Sequence, residues 1–176
     1  MIKYLIIAGS ILTWACTPAH AQSVNTDELQ CAALNIYHEA RGEATAGQVA
    51  VALVVKNRVL DQRYPNTYCE VVHEGPLTES WKTRQYKDLP DHQRVYYPIR
   101  HRCQFSWYCD GKSDKPKDVE AFKLAWTIAW QVMTDRFTDI TDGSTHYHAL
   151  HVDPHWNNHM KHTLTINNHK FYRQDR

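Results

Sequence analysis

Three stretches of the chain repeat apolar residues at intervals of three and four, which is the period of a helix with one buried face. They cover residues 26–42, a segment that starts at Thr45, and residues 118–137. Thr45 and Gln48 have the spacing of a capping box, which predicts the start of the second helix. The first two helices therefore meet at residues 38–43.

The remaining segments lack a sustained helical period. Residues 61–117 are rich in prolines, glycines, tyrosines and charges, which predicts long ordered loops with short strands. Near the end of the chain, residues 163–166 and 170–172 flank an Asn-Asn-His sequence that suits a hairpin, because asparagine tolerates the positive φ of a tight turn. The predicted fold class is α+β, with a mainly helical core, a small β-hairpin or sheet part and long ordered loops.

The first residues have the pattern of an export signal. A basic start at Lys3 precedes an apolar stretch over residues 4–15 and a small-x-small site at residues 19–21. This stretch is too short to span a bilayer, which takes about 20 residues. We expect a signal peptide at residues 1–21, a single domain at residues 22–176, export to the periplasm or outside, and no stable membrane insertion after cleavage. Cys16 raises the alternative of a lipoprotein, but Trp14 makes a poor lipid-attachment context.

Composition narrows the choice of partners and predicts crosslinks. The chain has 20 Lys and Arg against 19 Asp and Glu, so nothing indicates a nucleic-acid or membrane-surface footprint. Four cysteines follow the signal peptide, an even number that favours two disulfides in an exported chain. Four cysteines allow three pairings. Cys103 and Cys109 are close enough in sequence to close a small loop, and in that pairing Cys31 bonds to Cys69. A zinc site made of the four cysteines is the less favoured alternative, because the sequence has no C-x-x-C pair.

Glu39 is the candidate catalytic residue. It stands at the end of an otherwise apolar helix, where burial raises a carboxyl pKa by disfavouring the charged form. A carboxyl group that is protonated near neutral pH can donate its proton to a glycosidic oxygen. The alternative is a surface ion pair with Arg41 or Arg58, and spacing alone favours that interpretation.

Six stretches of the chain favour the catalytic interpretation instead, because they resemble segments of one protein family and occur in the same order. They resemble the SleB-like cell wall hydrolases, the spore cortex-lytic transglycosylases and their bacterial and phage relatives. The stretches are residues 35–43 (NIYHEARGE), 47–59 (GQVAVALVVKNRV), 64–72 (YPNTYCEVV), 103–111 (CQFSWYCDG), 145–149 (THYHA) and 169–173 (HKFYR).

The resemblance implies a lysozyme-like fold and a glycosidase that cleaves between N-acetylmuramic acid and N-acetylglucosamine in peptidoglycan. The catalytic glutamate of the family falls on Glu39, which would act first as acid and then as base to give a 1,6-anhydro product. This mechanism needs no metal or other cofactor, and we expect a monomer whose partner is the glycan strand. A hydrolytic mechanism would want a second acid, for which Glu43 is a candidate. A structural role for Glu43, either capping the second helix or pairing with Arg41, is an equal alternative. Other candidates for the second acid are Asp110, Asp142 and Asp153.

The other matching stretches supply candidate substrate-binding residues. Gln104 and Ser106 can hydrogen-bond sugar hydroxyl and acetamido groups, while Phe105, Trp107 and Tyr147 offer flat faces. The alternative for Phe105 and Trp107 is a core position beside the second cysteine pair. Asn57 and Arg58 are expected to support Glu39 from the second helix.

A histidine cluster gives the main competing hypothesis. His146, His148, His151 and His155 lie within ten residues, and alternation on a strand would place His146 and His148 on one side to bind zinc. The protein would then be a metal-dependent peptidoglycan amidase or peptidase. No H-E-x-x-H signature is present, so we prefer His146 and His148 as polar groups of the sugar groove. A third hypothesis is a wall-binding module without turnover.

Overall fold

The computed structural model describes residues 23–175. The predicted signal peptide and Cys16 therefore lie outside the described residues. Within residues 23–175, no helix combines the length and apolar character that a bilayer crossing requires.

The described chain contains five helices and five strands, which are numbered separately in chain order. The helices are α1 (Thr26–Ala40), α2 (Thr45–Leu60), α3 (Tyr68–Val72), α4 (Trp81–Arg84) and α5 (Val119–Met133). The strands are β1 (Leu77–Glu79), β2 (Tyr96–Pro98), β3 (His146–Ala149), β4 (Lys161–Ile166) and β5 (His169–Arg173). Short 3₁₀ turns occur at Asp91–Gln93, Ser106–Cys109 and His155–His159.

Three helices form the main core, as the apolar period predicts. Ile36 of α1, Leu53 of α2 and Ile128 of α5 are almost completely buried in one cluster. Each such side chain contributes roughly 1.5–3 kcal/mol through removal of apolar surface from water. The helix α1 begins at Thr26 as predicted, with the Asn25 side chain accepting a hydrogen bond from Asp27 N.

The start of α2 differs from its prediction. Ala44 is the N-cap and makes no side-chain capping hydrogen bond, while Thr45 is already helical. The Gln48 side chain donates instead to the Glu43 carbonyl oxygen at 3.0 Å. The predicted capping box is therefore wrong, because the helix begins one residue earlier than the box requires. Burial from Gly47 to Val55 makes α2 a central helix that is covered on all sides.

A three-stranded antiparallel sheet covers α2 on another side, in the order β3-β5-β4. Phe171 of β5 is fully buried against Val51 and Val54 of α2. Asn167 takes the predicted positive φ, at 50°, in the tight turn between β4 and β5. The predicted hairpin is confirmed, and β3 joins its second strand as an edge.

The segment of residues 61–117 contains the predicted loops and short strands, with β1 and β2 paired as a separate antiparallel ribbon. It also contains α3 and α4, which the sequence did not predict because helices of five and four residues show no measurable period. Both predicted disulfides are present, Cys31–Cys69 and Cys103–Cys109. The α+β class with a mainly helical core is confirmed.

Candidate active site

Glu39 is the last residue but one of α1, where the helix ends at Ala40 and the chain turns toward α2. Its neighbours Ile36 and Ala40 are buried, so the core holds this turn of the helix and leaves the Glu39 carboxyl half-buried. Burial raises the pKa of Glu39, and the hydrogen bond from Tyr147 opposes that rise only in part. The negative end of the helix dipole also disfavours a carboxylate here. This environment keeps a proton on Glu39 to higher pH than on an ordinary glutamate.

Tyr147 is the hydrogen-bond partner of this carboxyl group. Its hydroxyl donates to Glu39 Oε2 at 3.1 Å, across 108 positions of sequence. Burial raises the pKa of Tyr147 well above its usual range, and the nearby Glu39 acts in the same direction. The phenol therefore stays neutral and serves as a donor that orients the carboxyl group.

Glu39 opens into a cavity of about 270 Å³. The walls come from four places in the chain: the end of α1, α2, the loop that the second disulfide closes, and the segment from β3 to the following 3₁₀ turn. The lining residues are Glu39, Arg58, Gln104, Phe105, His146, Tyr147, His148, Val152, Pro154 and Trp156. Glu39 is the one carboxylate among these residues, and within the described part of the chain no other Asp or Glu lines the cavity.

Arg58 connects two walls of the cavity through hydrogen bonds. Its guanidinium is buried, and Nε donates to the Thr145 carbonyl oxygen at 2.7 Å. With the amide of Gln104 oriented so that its oxygen faces Arg58, that oxygen accepts from both terminal nitrogens at 3.2 and 3.3 Å. The guanidinium also lies 5.5 Å from the Phe105 ring centroid. Arg58 therefore supports the cavity instead of pairing with Glu39, and burial lowers the pKa of Arg58.

Asn57 supports the same wall from the neighbouring position. Its amide nitrogen lies 3.0 Å from Asp139 Oδ2 and 3.0 Å from the Ser144 carbonyl oxygen. Asp139 also accepts from the backbone nitrogens of Thr141 and Gly143, both at 2.8 Å. This network fixes the turn that leads directly into β3, and hence the position of Tyr147.

A family model described as Cell Wall Hydrolase matches residues 42–172. The chain belongs to the cell wall hydrolase family. The match begins three residues after Glu39, so Glu39 itself lies outside the matched segment.

Curated relatives of this chain agree with its membership of the cell wall hydrolase family. The chain is 46% identical over 48 residues to a spore cortex-lytic enzyme of Bacillus cereus, and 42% identical over 53 residues to one of Oceanobacillus iheyensis. These matches cover 27% and 30% of this chain. The matched segments span only 18% and 19% of the length of those two relatives.

Two solved structures share the fold. The catalytic domain of the Bacillus cereus SleB protein superposes with a TM-score of 0.55 at 22% identity, covering 86% of this chain and 94% of that one. The catalytic domain of the germination-specific lytic transglycosylase SleB from Bacillus anthracis gives a TM-score of 0.58 at 21% identity, with 86% and 98% covered. The predicted lysozyme-like fold of the SleB family is thereby confirmed.

The predicted groove residues divide between the cavity and its surroundings. Gln104, Phe105, Tyr147, His146 and His148 all line the cavity. Phe105 is also buried, so it both lines the cavity and occupies a core position. Ser106 is exposed and outside the cavity lining.

Trp107 does not line the cavity of Glu39 either. Its indole nitrogen donates to Asn35 Oδ1 at 3.1 Å, and its ring stacks on His38 with centroids 4.5 Å apart. The core interpretation of Trp107 is therefore the one that the structure supports.

Glu43 lies away from the cavity and binds the turn between β4 and β5. Its carboxylate accepts from the Asn168 side chain at 3.1 Å and from the Asn168 backbone nitrogen at 3.3 Å. Neither structural role predicted for Glu43 is seen among the described residues, since Arg41 instead donates to the Tyr37 carbonyl oxygen at 3.3 Å. The partner of Glu43 lies 125 residues along the chain, which local spacing does not reveal.

The other candidate acids are engaged outside the cavity. Asp110 pairs with Lys112, Asp142 pairs with Arg173, and Asp153 accepts from the Asn157 side chain at 2.8 Å. A second acid facing Glu39 is therefore absent from the described cavity lining.

The two cavity histidines are held by neighbouring protein groups. His148 Nδ1 lies 2.9 Å from the Ala149 carbonyl oxygen and Nε2 lies 3.0 Å from the Tyr172 hydroxyl, so both ring nitrogens are occupied. Burial, together with the charges of Arg58 and Arg63, lowers the pKa of His146 to about 4. Both side chains lie on β3 as predicted.

The zinc hypothesis needs three ligands that converge on one point. Among residues 23–175, no group of three or more His, Cys, Asp or Glu side chains has such an arrangement. His151 lies exposed beyond the end of β3. The structure gives the metal-dependent amidase or peptidase no support.

Trp156 is a cavity residue that sequence reasoning missed. Its ring lies 5.2 Å from that of His146, 5.6 Å from His148 and 5.5 Å from Tyr172. It follows Pro154 in a 3₁₀ turn, where no apolar period marks it. Its place directly after His155, the last histidine of the cluster, was the available signal.

Proposed function

We propose that this protein is a lytic transglycosylase that cleaves the bond between N-acetylmuramic acid and N-acetylglucosamine in peptidoglycan. One observation carries the proposal: Glu39, half-buried and with a raised pKa, is the one carboxyl group lining the described cavity. Membership of the cell wall hydrolase family supports the substrate class. The names of two relatives, spore cortex-lytic enzymes, also support this substrate class, and the solved Bacillus anthracis domain of the same fold is named a lytic transglycosylase.

The first step is proton transfer from Glu39. The protonated carboxyl donates to the bridging glycosidic oxygen while the bond from that oxygen to the muramoyl C1 breaks. The electron pair of the broken bond goes to the departing oxygen, and positive charge develops on C1 and the ring oxygen. Tyr147 holds the carboxyl in place and stabilises the carboxylate that forms, since its hydroxyl donates to Oε2.

The second step uses the same residue as a base. The Glu39 carboxylate takes the proton of the muramoyl C6 hydroxyl as that oxygen bonds to C1, which gives a 1,6-anhydro ring and restores the acid. Attack from within the same sugar needs no second carboxylate to activate water. A cavity with a single carboxylate therefore favours transglycosylation over hydrolysis.

The cavity walls suit a sugar ligand. Gln104, His146 and His148 supply polar groups, whereas Phe105, Tyr147 and Trp156 supply aromatic surface. We propose that the glycan strand binds along this wall. We also propose that residues 1–21 direct export, that the domain acts outside the cytoplasm as a monomer, and that it has no nucleic-acid partner.

Digestion of peptidoglycan by the purified protein tests this proposal, with mass spectrometry of the products. We expect 1,6-anhydromuropeptides from the wild type and their loss in Glu39→Gln, with an unchanged circular dichroism spectrum. Glu120→Gln is the matched control, because Glu120 is exposed on α5 and pairs with Lys123. Full activity of Glu39→Gln would reject the assignment of Glu39. Reducing-end products would indicate a hydrolytic muramidase, and binding without products would indicate a wall-binding module.

A further inference from the structure

A second cavity, of about 420 Å³, is lined by His38 and Arg41, which stand on either side of Glu39 in the chain. Its floor is the stacked pair of His38 and Trp107, whose ring planes differ by 16°. His38 Nε2 lies 3.0 Å from the Asp114 carbonyl oxygen, which fixes the floor to the loop above it. We call this space the basic cavity, after the charges that line it.

The basic cavity carries an excess of positive charge. Arg41, Lys112, Lys115 and Lys117 line it, against Asp110 and Asp114. Asp110 is paired with Lys112 at 3.4 Å. Burial raises the pKa of Asp114, which disfavours its negative charge.

Three of these cations lack an ion-pair partner in the part of the chain that the structure describes. Within residues 23–175, Arg41, Lys115 and Lys117 make no ion pair with a carboxylate. Arg41 instead lies over the Tyr37 ring, 5.0 Å from its centroid. Unpaired cations around a concave surface attract anionic ligands and concentrate them there.

The basic cavity and the Glu39 cavity share two walls. His38 and Arg41, which line the first, flank Glu39 in the chain and lie within one turn of it. The loop that the Cys103–Cys109 disulfide closes contributes Phe105 to the Glu39 cavity and Trp107 to the basic cavity. A helix with its side chains is about 10–12 Å across, so a ligand that leaves one cavity needs to cover only about this distance to reach the other.

We propose that the basic cavity binds the carboxylates of the peptide stem that is attached to the muramic acid bound at Glu39. This inference rests on the proposed function and extends it to the peptide part of the substrate. Stem peptides carry free carboxylates, and four extended residues reach about 13–14 Å, enough to cross the shared wall. Guanidinium and ammonium groups recognise carboxylates through charge-assisted hydrogen bonds.

The test uses the double variant Lys115→Gln/Lys117→Gln. The backbone nitrogen of Lys117 donates to the Tyr37 hydroxyl at 3.0 Å, and this contact does not depend on the side chain. The matched control is Lys123→Gln, which removes an exposed lysine from α5. Each protein is assayed on peptide-bearing peptidoglycan and on glycan strands stripped of peptide by an amidase.

We expect the double variant to raise KM about tenfold on the peptide-bearing substrate, the scale of two partly exposed ion pairs. Its KM on stripped glycan and the KM of the control should match the wild type. Equal KM of the double variant and the wild type on the peptide-bearing substrate overturns the proposal, as does an equal loss on both substrates. If the wild type degrades neither substrate, the proposed function itself has failed.

A binding measurement separates recognition from turnover. Calorimetry with Glu39→Gln protein and the free stem tetrapeptide should show binding that weakens about tenfold in the triple variant with Lys115→Gln and Lys117→Gln. The same peptide with its carboxylates amidated should bind no better to the parent than to the triple variant. Identical affinity for the free and amidated peptides overturns the proposal.

Discussion

The Tyr147 hydroxyl donates a 3.1 Å hydrogen bond to Oε2 of Glu39, joining the edge strand of the sheet to the end of the first helix. Two opposing influences meet at this contact. Burial favours the neutral carboxyl, while the phenol favours the carboxylate, and burial has the larger effect on the pKa of Glu39. The raised pKa favours the protonated form that the proposed first step requires, and the Tyr147 hydroxyl donates to the carboxylate that this step would leave.

Replacing Tyr147 by phenylalanine should move the pH profile of the reaction. Loss of the donor raises the pKa of Glu39 further, so the basic limb of kcat/KM should shift to higher pH. The looser carboxyl should lower kcat about ten- to a hundredfold. Tyr108→Phe is the control, because this tyrosine stacks on His73 outside the cavity. A shift to lower pH would contradict the hydrogen-bond role.

Glu39→Gln should be more stable than the wild type at neutral pH. The raised pKa means that the folded protein holds this proton more tightly than the unfolded chain, so the stabilising effect is complete below about pH 4.3 and is lost as pH rises through the folded pKa. The amide carries no charge to desolvate, which should raise the free energy of unfolding by about 0.5–2 kcal/mol. Urea unfolding at pH 4 and pH 8 checks this, with Glu120→Gln as the reference. An advantage that is larger at pH 4 would show the opposite linkage.

Asp139→Asn should destabilise the turn before β3. Burial by itself disfavours the carboxylate, but hydrogen bonds from Thr141, Gly143 and Asn57 outweigh it and lower the pKa of Asp139. Loss of these charged hydrogen bonds should cost about 1.5–3 kcal/mol of unfolding free energy at pH 7. Wild-type Asp139 provides this stability above its unfolded pKa of about 3.9 and loses it as pH falls through the lower folded value. The cost should therefore shrink in acid.

Chemical denaturation across this pH range measures the effect of Asp139→Asn. The control is Asp91→Asn, at an aspartate whose side chain is 99% exposed. The same cost in both variants would mean that the network around Asp139 contributes nothing of its own.

Trp156→Ala should weaken substrate binding more than it slows the chemistry. The ring lines the cavity and packs against His146, His148 and Tyr172, so its loss should raise KM about tenfold while kcat changes little. Trp130→Ala is the matched control, since Trp130 is 41% exposed on α5. Steady-state kinetics on soluble muropeptide oligomers give both constants. A fall in kcat at constant KM would argue against a role of Trp156 in binding.

The long helices could be predicted because their signals are local. Apolar residues at helical spacing mark α1, α2 and α5. Glu39 became the preferred acid only through the resemblance of six stretches along the chain, because its local spacing favours an ion pair. The shared placement of His146 and His148 could also be predicted, since alternation along a short strand puts both side chains on one side. The helices and this placement depend on neighbours in the sequence, where a periodic pattern can be seen.

The features that were missed depend on distant partners. Glu43 binds Asn168, and Arg58 joins Thr145 to Gln104, although nothing near these residues in the sequence specifies such contacts. The capping box failed because Ala44, which has no capping side chain, begins α2. Trp156 stands in a 3₁₀ turn that has no period to read.

The bond between Cys31 and Cys69 joins α1 to α3, and Glu28 reinforces it by accepting from the backbone nitrogens of Tyr68 and Cys69. A crosslink across 38 residues stabilises a fold by about 4 kcal/mol, mainly by restricting the unfolded chain. Newly made protein in a reducing cytoplasm would lack this disulfide and would be easier to unfold and degrade. On the export route proposed above, the domain would gain this stability only in an oxidising compartment outside the cytoplasm.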